Sequence, residues 1–116
     1  MKNIIYKSYK QFKEDEILKI YESVGWVNYT ENPDMLRKAY KNSLTVLGAY
    51  DGNNLVGIIS VVGDGHSIIY IQDIIVRPDY QRSGIGSILL QEVLSMYSLS
   101  GNNTSDNTTS VRHGTR

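Results

Sequence analysis

Residues 81–87 read Gln-Arg-Ser-Gly-Ile-Gly-Ser and carry the clearest chemical signal in the chain. The apolar run Ile74-Ile75-Val76 enters this loop through Arg77-Pro78-Asp79-Tyr80, and an amphipathic helical pattern leaves it. A glycine-bearing loop at a helix start presents main-chain N–H groups that lack intrahelical acceptors, at the positive end of the helix dipole. Such groups suit a diphosphate. Glycines at 84 and 86 let the backbone approach a ligand without a Cβ clash. Arg82 is a candidate for a charge-assisted contact to a phosphate oxygen, and an exposed loop side chain is an equal reading of it. Two familiar phosphate loops fail on spacing. A P-loop needs a lysine after its last glycine, yet no lysine follows Lys41; a dinucleotide fingerprint needs a third glycine where Leu89 stands.

The longer string Ile74-Ile75-Val76-Arg77-Pro78-x-Tyr80-Gln81-x-x-Gly84-Ile85-Gly86, followed by Leu89-Leu90, resembles the acetyl-CoA-binding motif of the GNAT superfamily of N-acetyltransferases. The similarity spans roughly residues 3 to 97 and is strongest from Tyr70 to Leu90. It implies an acetyl-CoA-dependent transferase that passes an acetyl group to a primary amine by direct attack in a ternary complex, without a metal. In that family the strand before the loop carries a bulge and offers its backbone to the pantetheine arm. By position this role falls on Ile74, Ile75 and Val76. The diphosphate falls to the main chain of Gln81, Arg82, Ser83, Gly84, Ile85, Gly86 and Ser87.

An amine must be neutral to attack. At pH 7 an ammonium of pKa ~10 is only about one part in a thousand neutral, a penalty of roughly 4 kcal/mol. A nearby carboxylate relieves it. The resemblance implies Asp73, just ahead of the pantetheine stretch, as this base; the alternative is a strand aspartate bonded to neighbouring backbone. Gln72 points to the opposite face unless a bulge intervenes. Relatives protonate the departing thiolate with a tyrosine in a region without counterpart here. Tyr80 and Tyr97 qualify by residue type, with packing as the simpler reading. Trp26 and Tyr29 lie where relatives build an acceptor pocket, and they too read as packing aromatics.

The elements that must position these groups follow from periodicity. Asn3 to Ser8 reads as a strand, and Lys13 to Val24 as a helix that Gly25 closes. A second helix begins near Asn32-Pro33, with Met35, Leu36, Ala39 and Tyr40 as its stripe. Ser43 to Tyr50, Leu55 to Val62 and Ser67 to Val76 form an antiparallel meander, separated by turns at Asp51–Asn54 and Gly63–Gly65. The last helix, Ser83 to Tyr97, turns Ile85, Ile88, Leu89, Val93, Met96 and Tyr97 inward. The expected fold is α/β (α+β): a GNAT-like mixed, mainly antiparallel sheet flanked by helices, with the C-terminal strands lacking.

Residues 1–97 read as a partial GNAT domain and 98–116 as a polar tail, too poor in apolar residues for a packed element. A frame-shifted or truncated product would look like this. The alternative function is therefore an impaired remnant that binds CoA, or a homodimer paired through the open edge of the strand ending at Val76. Twelve basic and 12 acidic residues cancel, so no field draws nucleic acid or membrane. The chain has no cysteine, and only His66 and His113 offer imidazole, which excludes disulfides and thiolate metal sites. With no apolar run of membrane length and no signal-peptide core, a cytoplasmic location is expected.

Overall fold

A computed structural model describes residues 3–97 and the backbone of 109–111. Among the described residues, five strands lie side by side in sequence order: β1 (Ile4–Ser8), β2 (Thr45–Asp51), β3 (Asn54–Gly63), β4 (Ile69–Val76) and β5 (Thr109–Val111). The first four are antiparallel neighbours, and β5 runs parallel to β4. The described helices that accompany them are α1 (Glu14–Ser23), α2 (Val27–Thr30), α3 (Pro33–Lys41) and α4 (Ile85–Tyr97). The mixed, mainly antiparallel sheet flanked by helices is the expected architecture.

The expectation that no strand follows the fourth needs correction. Thr109, Ser110 and Val111 pair with Ile69, Tyr70 and Ile71. Pairing to an existing edge supplies hydrogen bonds that local sequence cannot announce, so a polar stretch without periodicity still forms a strand. The outer edge of β4 is thus covered at its start. The remainder of the predicted tail, 98–108 and 112–116, lies outside the described residues.

Local signals act where the sequence places them. Gly25 closes α1 at φ +78°. Its N–H donates to Glu22 O and that of Trp26 to Tyr21 O, the paired bonds of a Schellman cap. Asp51 pairs with Asn54 across a hairpin whose first loop residue, Gly52, has φ +66°, the requirement of a type II′ turn. The single turn of α2 went unforeseen because Val27–Thr30 is too short for periodicity to register.

The sheet buries both faces. On one, Ile85, Leu89 and Val93 of α4 pack against Leu47, Ala49, Val56, Ile59, Val61, Ile69 and Ile71. This stripe is narrower than expected: Ile88 and Met96 are exposed, since only positions four apart point straight at the sheet. On the other face, α1 and α3 bring Ile17, Ile20, Tyr21, Leu36 and Tyr40 against Leu55, Ile58 and Ile75.

A bulge in β4 decides which face its side chains serve. Ser60 pairs with Asp73 but Val61 pairs with Ile71, so Gln72 has no partner in β3. An extra residue reverses the alternation beyond it. Ile69 and Ile71 therefore face α4, as do Ile74 and Val76 after the bulge, while Asp73 and Ile75 turn to α1 and α3.

Candidate active site

The loop after β4 is braced by its own side chains. Arg77 N–H closes on Val56 O at 2.9 Å, ending the strand, and Pro78–Tyr80 form one 3-10 turn. Tyr80 Oη donates to Asp51 Oδ2 at 2.5 Å, tying this turn to the β2–β3 hairpin. Gln81 Nε2 donates to Val76 O at 2.8 Å, and Ser83 Oγ to Tyr80 O at 2.5 Å. Gln81 N–H itself donates to Pro78 O at 3.3 Å, so this amide, expected to serve the diphosphate, is already engaged; the side chains of Gln81 and Ser83 brace the loop and leave the amides after Gln81 uncommitted.

That main chain is arranged as an anion nest. Arg82 and Gly84 adopt the left-handed region, with φ +70° and +88°, which turns successive N–H groups toward a common side. Among the described residues, the N–H groups of 82 to 87 donate to no backbone oxygen; the first helical bond runs from Ile88 N–H to Gly84 O at 3.0 Å. A Cβ built on Gly84 meets nothing within 4 Å, so the space before the loop is open. Packing fixes its position. A Cβ on Gly57 of β3 would come within 3.0 Å of Ile85 Cγ2 and 3.3 Å of Leu89 Cδ1, so glycine there lets α4 settle close to the sheet. This donor set fits a diphosphate. Arg82 is exposed beside it, and no ion pair engages it among the described residues.

Beside the loop, β4 and β5 pair only over Ile69–Ile71. Past the bulge, the backbone of Ile74, Ile75 and Val76 runs on to the loop without a described strand on that side. The stretch assigned to pantetheine and the loop assigned to diphosphate are consecutive along one edge.

Asp73 lies at the bulge and is 4% exposed. Tyr21 Oη of α1 donates to its Oδ2 at 2.8 Å, and Tyr21 Oη lies 2.9 Å from Tyr40 Oη of α3. Tyr21 has one hydroxyl proton, already given to Asp73, so Tyr40 supplies the proton of the second bond. Burial pushes both phenols well above the usual tyrosine range; for Tyr21 the neighbouring Tyr40 and Asp73 add to the rise. For Tyr40, Asp73 adds to the rise.

The structure joins Trp26 and Tyr29 to this group. Their rings lie 5.7 Å apart, and each packs against Tyr21, at 5.7 and 5.2 Å between centroids. Tyr21 is therefore the shared neighbour of Asp73 and the aromatic pair. Sequence reasoning missed both Tyr21 and Tyr40, which sat unremarked within apolar helical stripes. A hydroxyl at a fully buried stripe position is a signal, because it needs a polar partner.

The hydroxyls proposed for thiolate protonation are otherwise engaged. Tyr80 is bonded to Asp51, and Tyr97 Oη is bonded to Thr45 Oγ1. His66 sits in the β3–β4 turn, its N–H donated to Asp64 Oδ1 at 2.8 Å. Among the described residues no cluster of His, Asp or Glu is placed to hold a metal, and no helix is long and apolar enough to cross a membrane.

Comparison with known proteins agrees with this geometry. Residues 5–107 match the family profile described as Acetyltransferase (GNAT) family. A GNAT family acetyltransferase of Streptococcus pneumoniae superimposes with a TM-score of 0.76 at 37% identity, covering 98% of this chain and 76% of that one. A GNAT acetyltransferase of Brucella melitensis, solved in complex with acetyl-CoA, shares the fold with a TM-score of 0.65 at 21% identity, over 87% of this chain and 72% of that one. An uncharacterized N-acetyltransferase of Pyropia yezoensis is 28% identical over 97 residues; the match covers 80% of this chain and spans 55% of that relative's length. With a nested loop at the start of α4, a bulged β4 and a family match over most of its length, the chain belongs to the GNAT acetyltransferase family.

Proposed function

We propose that this chain is an acetyl-CoA-dependent N-acetyltransferase acting on a primary amine in a ternary complex. The observation that carries the reading is the set of uncommitted amides from 82 to 87, braced by Gln81 and Ser83 at the start of α4. They would hold the diphosphate, with Arg82 adding charge and Ile74, Ile75 and Val76 lining the pantetheine arm. Acetyl-CoA supplies the activated acetyl group as a thioester. The chain orients the two substrates and accepts a proton. Trp26 and Tyr29 form one wall for the acceptor, and Asp73 takes the amine proton, lowering the cost of presenting a neutral nucleophile.

Thermal unfolding with acetyl-CoA is the first test. A binder gains about 2.7 kcal/mol at a hundredfold excess over the dissociation constant. An unmoved transition at millimolar acetyl-CoA would end the assignment. Thiol release across a panel of amines then separates an enzyme from a chain that binds CoA without turnover. Size-exclusion elution tests a homodimer paired through the rest of the β4 edge; a monomer at working concentration removes it.

A further inference from the structure

Two buried hydroxyls stand in line behind Asp73, and the proposed chemistry does not by itself require them. A hydroxyl donating to a carboxylate favours its ionised form, and a second hydroxyl donating to the first polarises it further. Tyr21 Oη is 2.8 Å from Asp73 Oδ2 and 2.9 Å from Tyr40 Oη, and its ring bears on Trp26 and Tyr29. One side chain therefore touches both the proposed base and the proposed acceptor wall.

We infer that Tyr21, backed by Tyr40, is a positioning residue for Asp73: the pair fixes the carboxylate's rotamer and holds it ionised to receive the amine proton. The inference rests on Asp73 serving as the base. In the transfer, one N–H bond of the ammonium breaks and an O–H bond forms on Asp73, while Oδ2 goes on accepting from Tyr21. Neither tyrosine loses a proton, in keeping with the burial that disfavours both phenolates. Among the described residues, the titratable side chains around the carboxylate include Tyr21 from α1 and Tyr40 from α3. Tyr29 from α2 and Tyr9 from the loop before α1 act on Tyr40. Ser60 stands opposite Asp73 on β3 and does not titrate.

The test is an NMR titration of the chain labelled at its aspartate carboxyl carbons, with Asp73 assigned through Asp73→Asn. Tyr21→Phe should raise the Asp73 midpoint by about one pH unit, and Tyr40→Phe should raise it less, in the same direction. The acid limb of kcat/KM for thiol release from acetyl-CoA should move equally, with the alkaline plateau kept. A purely structural pair would lower the plateau and leave the limb in place, and that result overturns the inference. So does an unmoved midpoint in both variants. Should Tyr21→Phe fail to fold, Tyr40→Phe decides alone, since it keeps the Tyr21–Asp73 bond. Wild-type turnover by Asp73→Asn, with the midpoint shifts still present, would remove the base and the positioning role together. Acetyl-CoA binding by that variant shows whether the wider acetyltransferase reading survives.

Discussion

The two faces of the sheet are covered by helices of similar length and differ in what they bury. Under α4 the contact is built from aliphatic side chains, Leu89 and Val93 against Val56, Ile59 and Ile71. Under α1 and α3 the same sheet buries the carboxylate of Asp73 and the hydroxyls of Tyr21, Tyr40 and Ser60. The dry face is a platform whose task is to hold the start of α4, and hence the nested loop, in place. The mixed face gives up apolar contact to keep a carboxylate near aromatic rings. Buried polar groups need specific partners, whereas aliphatic contact tolerates approximate ones. The two faces should therefore fail in different ways.

The largest effect is expected on the dry face. Leu89→Ala removes a fully buried side chain and should cost about 2–5 kcal/mol in urea unfolding. A loss under 1 kcal/mol would mean that α4 is not close-packed as described. The mixed face should instead show itself in alkali. Unfolded tyrosines ionise above the ordinary value of 10.0, while Tyr21 and Tyr40, raised by burial, stay protonated in the fold. The native state then binds more protons, so their stabilisation is whole below pH 10 and declines above it. At pH 11 the loss should be about 1.4 kcal/mol for each of the two. Melting curves between pH 8 and pH 11 check it, and Tyr21→Phe should flatten the decline.

At neutral pH, Tyr21→Phe keeps the ring's volume, loses both hydroxyl bonds and should cost about 1–3 kcal/mol. Gly84→Ala meets no neighbour but forces a Cβ into the left-handed region, a strain of about 1 kcal/mol. It should also weaken acetyl-CoA binding, which isothermal calorimetry would read directly. Ser60→Ala marks the smallest effect. Among the described residues Ser60 Oγ is buried without a hydrogen-bond partner, so its removal should leave stability within about 0.5 kcal/mol or raise it. A large loss there would mean that this hydroxyl belongs to the Asp73 network after all.

Legibility in the sequence followed how local each feature is. The loop could be read because glycine at 84 and the strand–turn–helix order around it are set by neighbours in the chain. Gly25, Gly52 and the Asn32-Pro33 helix start were likewise written in residues a few positions apart. The Tyr21–Tyr40–Asp73 group was not, since its members are separated by 19 and 52 positions along the chain. The short β5 escaped for a related reason. Its backbone bonds to a β4 edge far back in the sequence, and nothing in Thr109-Ser110-Val111 need be apolar for that.

Sequence alone therefore determined the glycine-bearing loop at the start of α4, because conformational freedom at glycine and the exposure of amides at a helix start are properties of consecutive residues. Tertiary structure decided where the carboxylate points. Gln72 bulges only because the register of β3 against β4 shifts by one residue, and that shift turns Asp73 away from α4 toward Tyr21. Register is a relation between two strands, fixed by how their side chains pack on both faces at once, and no stretch of either strand contains it.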